Sequence, residues 1–504
     1  VNFRLHCKAN KDLPKLAWLA CLNRDKGIVT VIHGLSVEFK DNWIVEGVWS
    51  DDFEQGNFHL NENFFGSGIR ISGDSVYFVP SSALVDRLLF CEDQGKIFVS
   101  NSLILLLALT GACLDDNHDY HSESLSILEG IDNYNKEFNV IHHRIKCFYQ
   151  VFYENIIFSN GRISFQKRSK LRKINSFEQY YGLLNEILLR IKNNYRSKAR
   201  KNPVSAFTTL SAGYDSTAVS CLAKKLGVKT CFTGNVLDMP WPLSFIKRRR
   251  ENTEPIAKSL ELDIQYLDSR RSSISETELY FLTTNYPKFS SILWSELSFH
   301  SMTADIEKNC CSAVVFTGYH GGGIWDVNAK RRYLNDQIKR KDMSGLNLTE
   351  IRLKGGFINV PVAFILARNI KDIVKISRSR EMESWRLNNA YDRPIPRRIL
   401  ETSGVNRQLF GMRKKYIAMG YFWPVNARLR KQFFKYIKEK YNISFSFVYI
   451  YYIINLVVSK FTHRTFFVNN LDFYFLMRQW AIRVMSKRTS QIFAKDETYK
   501  LFRI

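Results

Sequence analysis

The chain has 504 residues, 45% of them hydrophobic and 24% charged, and a formal net charge of +25. That balance excludes a disordered chain, the length calls for more than one ordinary core, and no repeat at solenoid or propeller spacing is present. The charge attracts anions in general, but no RNA-recognition, zinc-finger or helix-turn-helix signature turns it into nucleic-acid readout.

The start, VNFRLHCKANKDLPK, has no apolar signal-peptide core. Up to residue 170 the chain reads as short strands. GIVTVIHG, NWIVEGVWS, FFGSGIRISGDSVYFVP and DRLLFCEDQGKIFVSNS are β-rich runs with Asp/Asn/Gly turns between them, including a hairpin signal at Ser72-Gly73-Asp74. NSLILLLALTG reads as a short helix. The basic, helix-periodic stretch 171–202 is a connector. From Pro203 strands and helices alternate: VSAFTTLS, a helix over 216–226, VKTCFTG, a helix over 254–260, IQYLD, then SAVVFTG. Alternation with β-branched strands predicts a parallel sheet covered on both faces. Beyond about residue 345 the chain reads as mostly helical. The uncharged run YNISFSFVYIYYIINLVVS is diluted by Asn, Ser and Tyr, so a buried helix is expected there rather than integral membrane insertion. The nine Cys form no CxxC pair, which predicts reduced thiols in a cytoplasmic protein.

One turn carries chemistry. In FTTLSAGYDSTAV a strand ends at Leu210 and a helix begins after Ser211-Ala212-Gly213-Tyr214-Asp215-Ser216. Ligands of parallel sheets bind where strands turn into helices. Small residues there let backbone N–H groups approach an anion, the helix N-terminus adds its dipole, and Ser211 and Ser216 can donate to phosphate oxygens. Asp215 beside an anion makes sense with a bridging Mg²⁺. A plain N-cap is the competing explanation of the same residues.

This SxGxDS turn resembles the PP-loop of the ATP-pyrophosphatases; no Walker A motif is present. FTGYHGGGIWD (316–326), YDRPIPRRILETSGV (391–405) and FGMRKKYIAMG (410–420) extend the resemblance to the asparagine synthetase family. The resemblance implies a β-rich amidotransferase-like sandwich over 1–170, a doubly wound PP-loop domain over 203–440, and a helical, aromatic-rich extension over 441–504. It implies ATP and Mg²⁺, with a carboxylate activated as an acyl-adenylate for attack by ammonia or an amine. Leu210, Ser211, Ala212, Gly213, Tyr214, Asp215, Ser216, Thr233, Gly318, His320 and Gly321 would line the nucleotide. Asp215 and Asp326 would hold the metal, and Arg413 and Lys415 would act on developing charge, with Gly420 closing their motif.

Two positions depart from the family. Its glutamine-dependent members use an N-terminal Cys, whereas this chain begins Val1-Asn2-Phe3 and its first Cys is Cys7, in a strand-like run. That start implies no glutaminase of its own, and nitrogen from free ammonia, a partner glutaminase or an amine substrate. Gly322 also stands where the family carries its second metal-binding Asp. The positive charge suits an anionic acceptor such as a sugar or peptide carboxylate. Two alternatives remain at this point: a PP-loop enzyme that modifies tRNA or a nucleobase, and a catalytically impaired nucleotide-binding scaffold.

Overall fold

A computed structural model of the chain describes residues 3–168, 172–234, 236–238, 247–249, 252–267, 275–283, 293–346, 348–411, 423–424, 426–462, 473–496 and 502. The strand-rich first part forms two sheets. One runs β1 (Arg4–Ala9), β3 (Ile28–His33), β2 (Trp18–Asn23), β9 (Lys96–Ser100), β8 (Leu88–Asp93), β11 (Cys147–Val151), β10 (Glu137–Asn139). Only β1 and β3 pair in parallel within it. The other is antiparallel throughout: β13 (Arg162–Gln166), β12 (Asn155–Ser159), β7 (Ser75–Val79), β6 (Phe64–Ser72), β5 (Trp43–Trp49), β4 (Glu38–Lys40). The hairpin signal is realised as a two-residue loop, with Ser72 paired to Ser75 and Gly73 at φ +56°.

The period of two in β2 explains the stacking. Trp18, Ala20 and Leu22 join Ile44, Ile69 and Val76 of the opposite sheet in one core. Leu19 and Cys21 point the other way, into a larger core shared with the second half of the chain. The helix Leu103–Thr110 sits on that second face. Ser102 caps it by accepting from the Leu105 N–H, Gly111 ends it at φ +71°, and every one of its eight residues is buried. The last long helix, Phe473–Lys495, covers it, and Ser490 donates to the Ala108 carbonyl.

The seam between the halves is ionic as well as apolar. Arg352 reaches Glu46 of β5 at 2.6 and 3.0 Å and Asp86 at 3.2 Å, all three groups being buried. Burial works against the charge on Arg352, yet Asp86 and Glu46 hold its pKa above the ordinary arginine value. Glu350, two residues before Arg352 in the helix Thr349–Gly355, accepts from the Leu103 N–H at 2.8 Å and from Ser102.

The third sheet is parallel and runs β18 (Asp263–Tyr266), β15 (Thr230–Thr233), β14 (Val204–Thr209), β19 (Ser312–Thr317), β20 (Phe357–Pro361). Its strands β19 and β20 are buried throughout, whereas β14 and the edge strand β18 are only partly covered. Val314 and Phe316 share a core with Ala218 and Val219 of the helix Tyr214–Lys225, while Ala313 and Val315 pack with Met302 and Ile306 of the helix Leu293–Asn309. The fold is thus mixed α/β, with a β-rich first part and a parallel sheet in the second. A separate hairpin pairs β16 (Val236–Asp238) with β17 (Lys247–Arg249).

Two expectations need correction. β20 lies in the stretch read as helical: FINVP follows Gly356, which leaves the preceding helix at φ +79° and turns the chain into the sheet. The uncharged run forms the helix Phe445–Thr462, but its first half, over 445–451 and 453–454, is only partly buried. Val448 and Tyr451 face the core, whereas Phe445, Phe447, Ile450 and Ile454 are exposed. No helix among the described residues is long and apolar enough to cross a membrane.

Candidate functional site

The strand order decides where a ligand can sit. From β14 the chain moves outward through β15 to β18, then returns to β19 on the other side of β14 and continues to β20. The β14/β19 boundary is therefore a topological switch point. In parallel sheets such a point, at the carboxyl edge, is where ligands bind. The loops leaving the two strands are the 211–216 turn and the 318–323 glycine turn.

The helix Tyr214–Lys225 begins at Gly213, and no side chain caps its N-terminus. The N-cap explanation of Ser211, Asp215 and Ser216 therefore does not apply. Ser211 Oγ instead accepts from the Gly213 N–H at 3.2 Å and is hydrogen-bonded to Ser216 Oγ, so both hydroxyls lie together at the mouth of the helix. Thr217 Oγ1 ties the turn by donating to the carbonyls of Ser211 and Gly213. Uncapped N–H groups, the helix dipole and two hydroxyls suit an anion.

Glycines of the second loop let it press on the first. A Cβ at 318 would lie 2.5 Å from the Ser216 amide nitrogen, and one at 321 would lie 2.5 Å from Asp215 Cγ. Behind the turn, Tyr214 is fully buried. It takes a hydrogen bond from Arg397, packs against Tyr391 at 4.9 Å and Phe410 at 5.9 Å, and fits under Gly411, whose N–H donates to the Ala212 carbonyl.

The structure thus brings Ser211, Gly213, Asp215, Ser216, Gly318 and Gly321 together, with Leu210 and Ala212 buried just behind them. Thr233 ends the neighbouring β15, its hydroxyl 3.1 Å from that of Thr253. His320 belongs to the packing of the loop: its buried ring stacks on Phe364 at 4.6 Å, and burial together with Arg340 holds its pKa well below the ordinary value, so it is neutral. Arg413, Lys415 and Gly420 lie outside the described residues. Cys7 lies within β1, and burial pushes its thiol up to about 12, the opposite of an activated nucleophile.

The residue that sequence reasoning passed over is Arg393. It precedes Pro394, the first residue of the helix Pro394–Thr402, and so is held out of helical conformation, at φ −138° and ψ 81°. Its side chain is only 7% exposed, donates from Nη1 to the Asp215 carboxylate, and rests 5.0 Å from the Tyr391 ring centre. Three arginines fall within 391–405; Arg393 meets Asp215 and Arg397 meets Tyr214, an assignment their spacing does not announce.

The expected Mg²⁺ does not fit these side chains. A small hard cation needs oxygen ligands in near-octahedral array. Asp215 is engaged by Arg393, and Asp326 is held by Lys341 at 2.6 Å while accepting from the Asn328 N–H. Position 322 supplies no side-chain oxygen, and among the described residues no three His, Cys, Asp or Glu side chains converge as a metal site.

No protein-family model matches this sequence. Comparison with curated proteins gives no match either.

Proposed function

We propose that the chain is an ATP-dependent ligase of the asparagine-synthetase type, forming an amide from a carboxylate and ammonia or an amine. The observation that carries this reading is the turn at the switch point: a helix N-terminus without a side-chain cap, Ser211 and Ser216 beside it, and a glycine loop packed on it closely enough to exclude a side chain at 318 and 321. The substrate carboxylate oxygen attacks the α-phosphorus of ATP, the bond to the bridging oxygen breaks, and pyrophosphate leaves. The nitrogen nucleophile then attacks the acyl carbon, loses a proton, and AMP departs. In this scheme the Ser211 and Ser216 hydroxyls and the first N–H groups of the helix hold the departing pyrophosphate, acting where negative charge accumulates. Lys415 and Arg413 are proposed, from the resemblance alone, to complete that charge stabilisation.

The misfit of Mg²⁺ and the glycine at 322 favour a second reading, a scaffold that binds nucleotide without turning it over. One experiment separates the two. ATP binding is measured by calorimetry, then pyrophosphate release is followed across a panel of free, sugar-borne and peptide carboxylates with ammonium present. The ligase reading expects release that depends on one carboxylate class. ATP binding with no release across the panel selects the scaffold, and no ATP binding in any buffer rules out both.

A further inference from the structure

Asp215 and Arg393 each meet one of two consecutive glycines. A Cβ on Gly321 would strike the Asp215 carboxylate, 2.5 Å from Cγ and 2.7 Å from Oδ1, and a Cβ on Gly322 would fall 2.8 Å from Arg393 Nη2. The loop is therefore shaped around the pair, one glycine to each partner. The guanidinium is fixed from three sides: by the carboxylate, by the Tyr391 ring and by the Pro394 junction that holds its backbone.

We propose that the Arg393 guanidinium is the resident cation of this turn, neutralising Asp215 and facing the polyphosphate of a bound nucleotide in place of a protein-held divalent metal. The inference rests on the nucleotide reading above and names how that site handles charge. A divalent ion ligated by Asp215 would sit about 2 Å from its oxygen, against a guanidinium already bonded to the same carboxylate. Guanidinium is suited to the alternative, since its planar donors match phosphate oxygens and it needs no hydration shell to be built around it. Burial works against the charge on Arg393, yet Asp215, Tyr391 and Asp326 hold its pKa above the ordinary value, so the group stays cationic across the working pH range. Asp326, with Lys341 as its partner, belongs to the surrounding field rather than to a metal shell.

The test uses the full chain and inorganic pyrophosphate as the probe, titrated by calorimetry in EDTA and again in Mg²⁺. The expected result is binding in EDTA within about tenfold of that in Mg²⁺, and a loss of about tenfold or more in EDTA for Arg393→Met. Arg393→Lys, which keeps a cation, should fall between the two. Adding Gly322→Asp to Arg393→Met fills the vacated space with a second carboxylate and should make binding depend on Mg²⁺. Wild-type binding that appears only with Mg²⁺ overturns the proposal while leaving the nucleotide site standing. Equal binding by wild type and Arg393→Met in EDTA overturns it too. Absence of pyrophosphate and ATP binding in both buffers removes the nucleotide reading and this one with it. Should Arg393→Met fail to fold, the wild-type comparison alone decides.

Discussion

Arg352→Met tests whether the two halves of the chain are one structure. The methionine keeps most of the buried stem, so the loss is chiefly the guanidinium and its contacts at 2.6, 3.0 and 3.2 Å to Glu46 and Asp86. Glu46 then retains Ser67 and Asn101 as donors, and Asp86 retains Thr349, but the cation between the two carboxylates is gone. Breaking a buried pair from one side costs about 3–5 kcal/mol. The cost is limited by protonation: burial already pushes Glu46 above its ordinary pKa against the pull of Arg352. In the variant the folded state therefore binds more protons than the unfolded state, and stability rises as pH falls. Urea unfolding, followed by tryptophan fluorescence and far-UV circular dichroism at pH 6 and 8, measures this. The variant should lose about 3–5 kcal/mol at pH 8 and less at pH 6, with both probes in one transition. Glu46→Gln added to Arg352→Met should recover part of the loss. A loss below about 1 kcal/mol with no pH dependence, or two separate transitions, would refute the account of the seam.

Glu350, buried at the N-terminus of Leu103–Thr110, has its pKa raised by burial from 4.5 to about 7 despite its hydrogen bonds to Ser102, Ile104 and Leu103. Its contribution is present in full below the unfolded value and is lost as pH rises through about 7, so Glu350→Gln should flatten the stability profile between pH 5 and 8. Gly318→Ala drives a Cβ to 2.5 Å from the Ser216 nitrogen; it should cost about 1–3 kcal/mol in urea unfolding and weaken pyrophosphate binding about tenfold. Of the nine free thiols only Cys113 and Cys311 are exposed, and burial lifts Cys7 and Cys21 to about 12 and about 11. Native labelling with a maleimide, read by mass spectrometry, should modify Cys113 and Cys311 first and leave Cys7 and Cys21 until the chain unfolds.

Much of this fold was legible wherever the local pattern and the tertiary environment ask for the same thing. SAVVFTG carries an apolar run because both faces of its strand are covered, and Ser72-Gly73-Asp74 announces its hairpin by backbone chemistry alone. FINVP is not legible as a strand because a run of five residues is too short to carry a period that separates strand from helix; its pairing partner, β19, lies more than 40 residues earlier and supplies the missing information. The 211–216 turn could be found because it is contiguous. Its partners could not, because Arg393 and Asp215 are 178 positions apart and meet only when the helix Pro394–Thr402 packs on the helix Tyr214–Lys225. Asp326 shows the converse: an acid close in sequence to the glycine loop, drawn off by Lys341 from an irregular segment.

The packing of Leu103–Thr110 under Phe473–Lys495 has a consequence in time. Ribosomal synthesis runs at about 5–20 residues per second. The helix LILLLALT leaves the ribosome on the order of 20 to 80 s before the residues that roof it. Through that interval the nascent sandwich carries an apolar lid without its roof, and the helix Phe473–Lys495 is the one that ends its exposure.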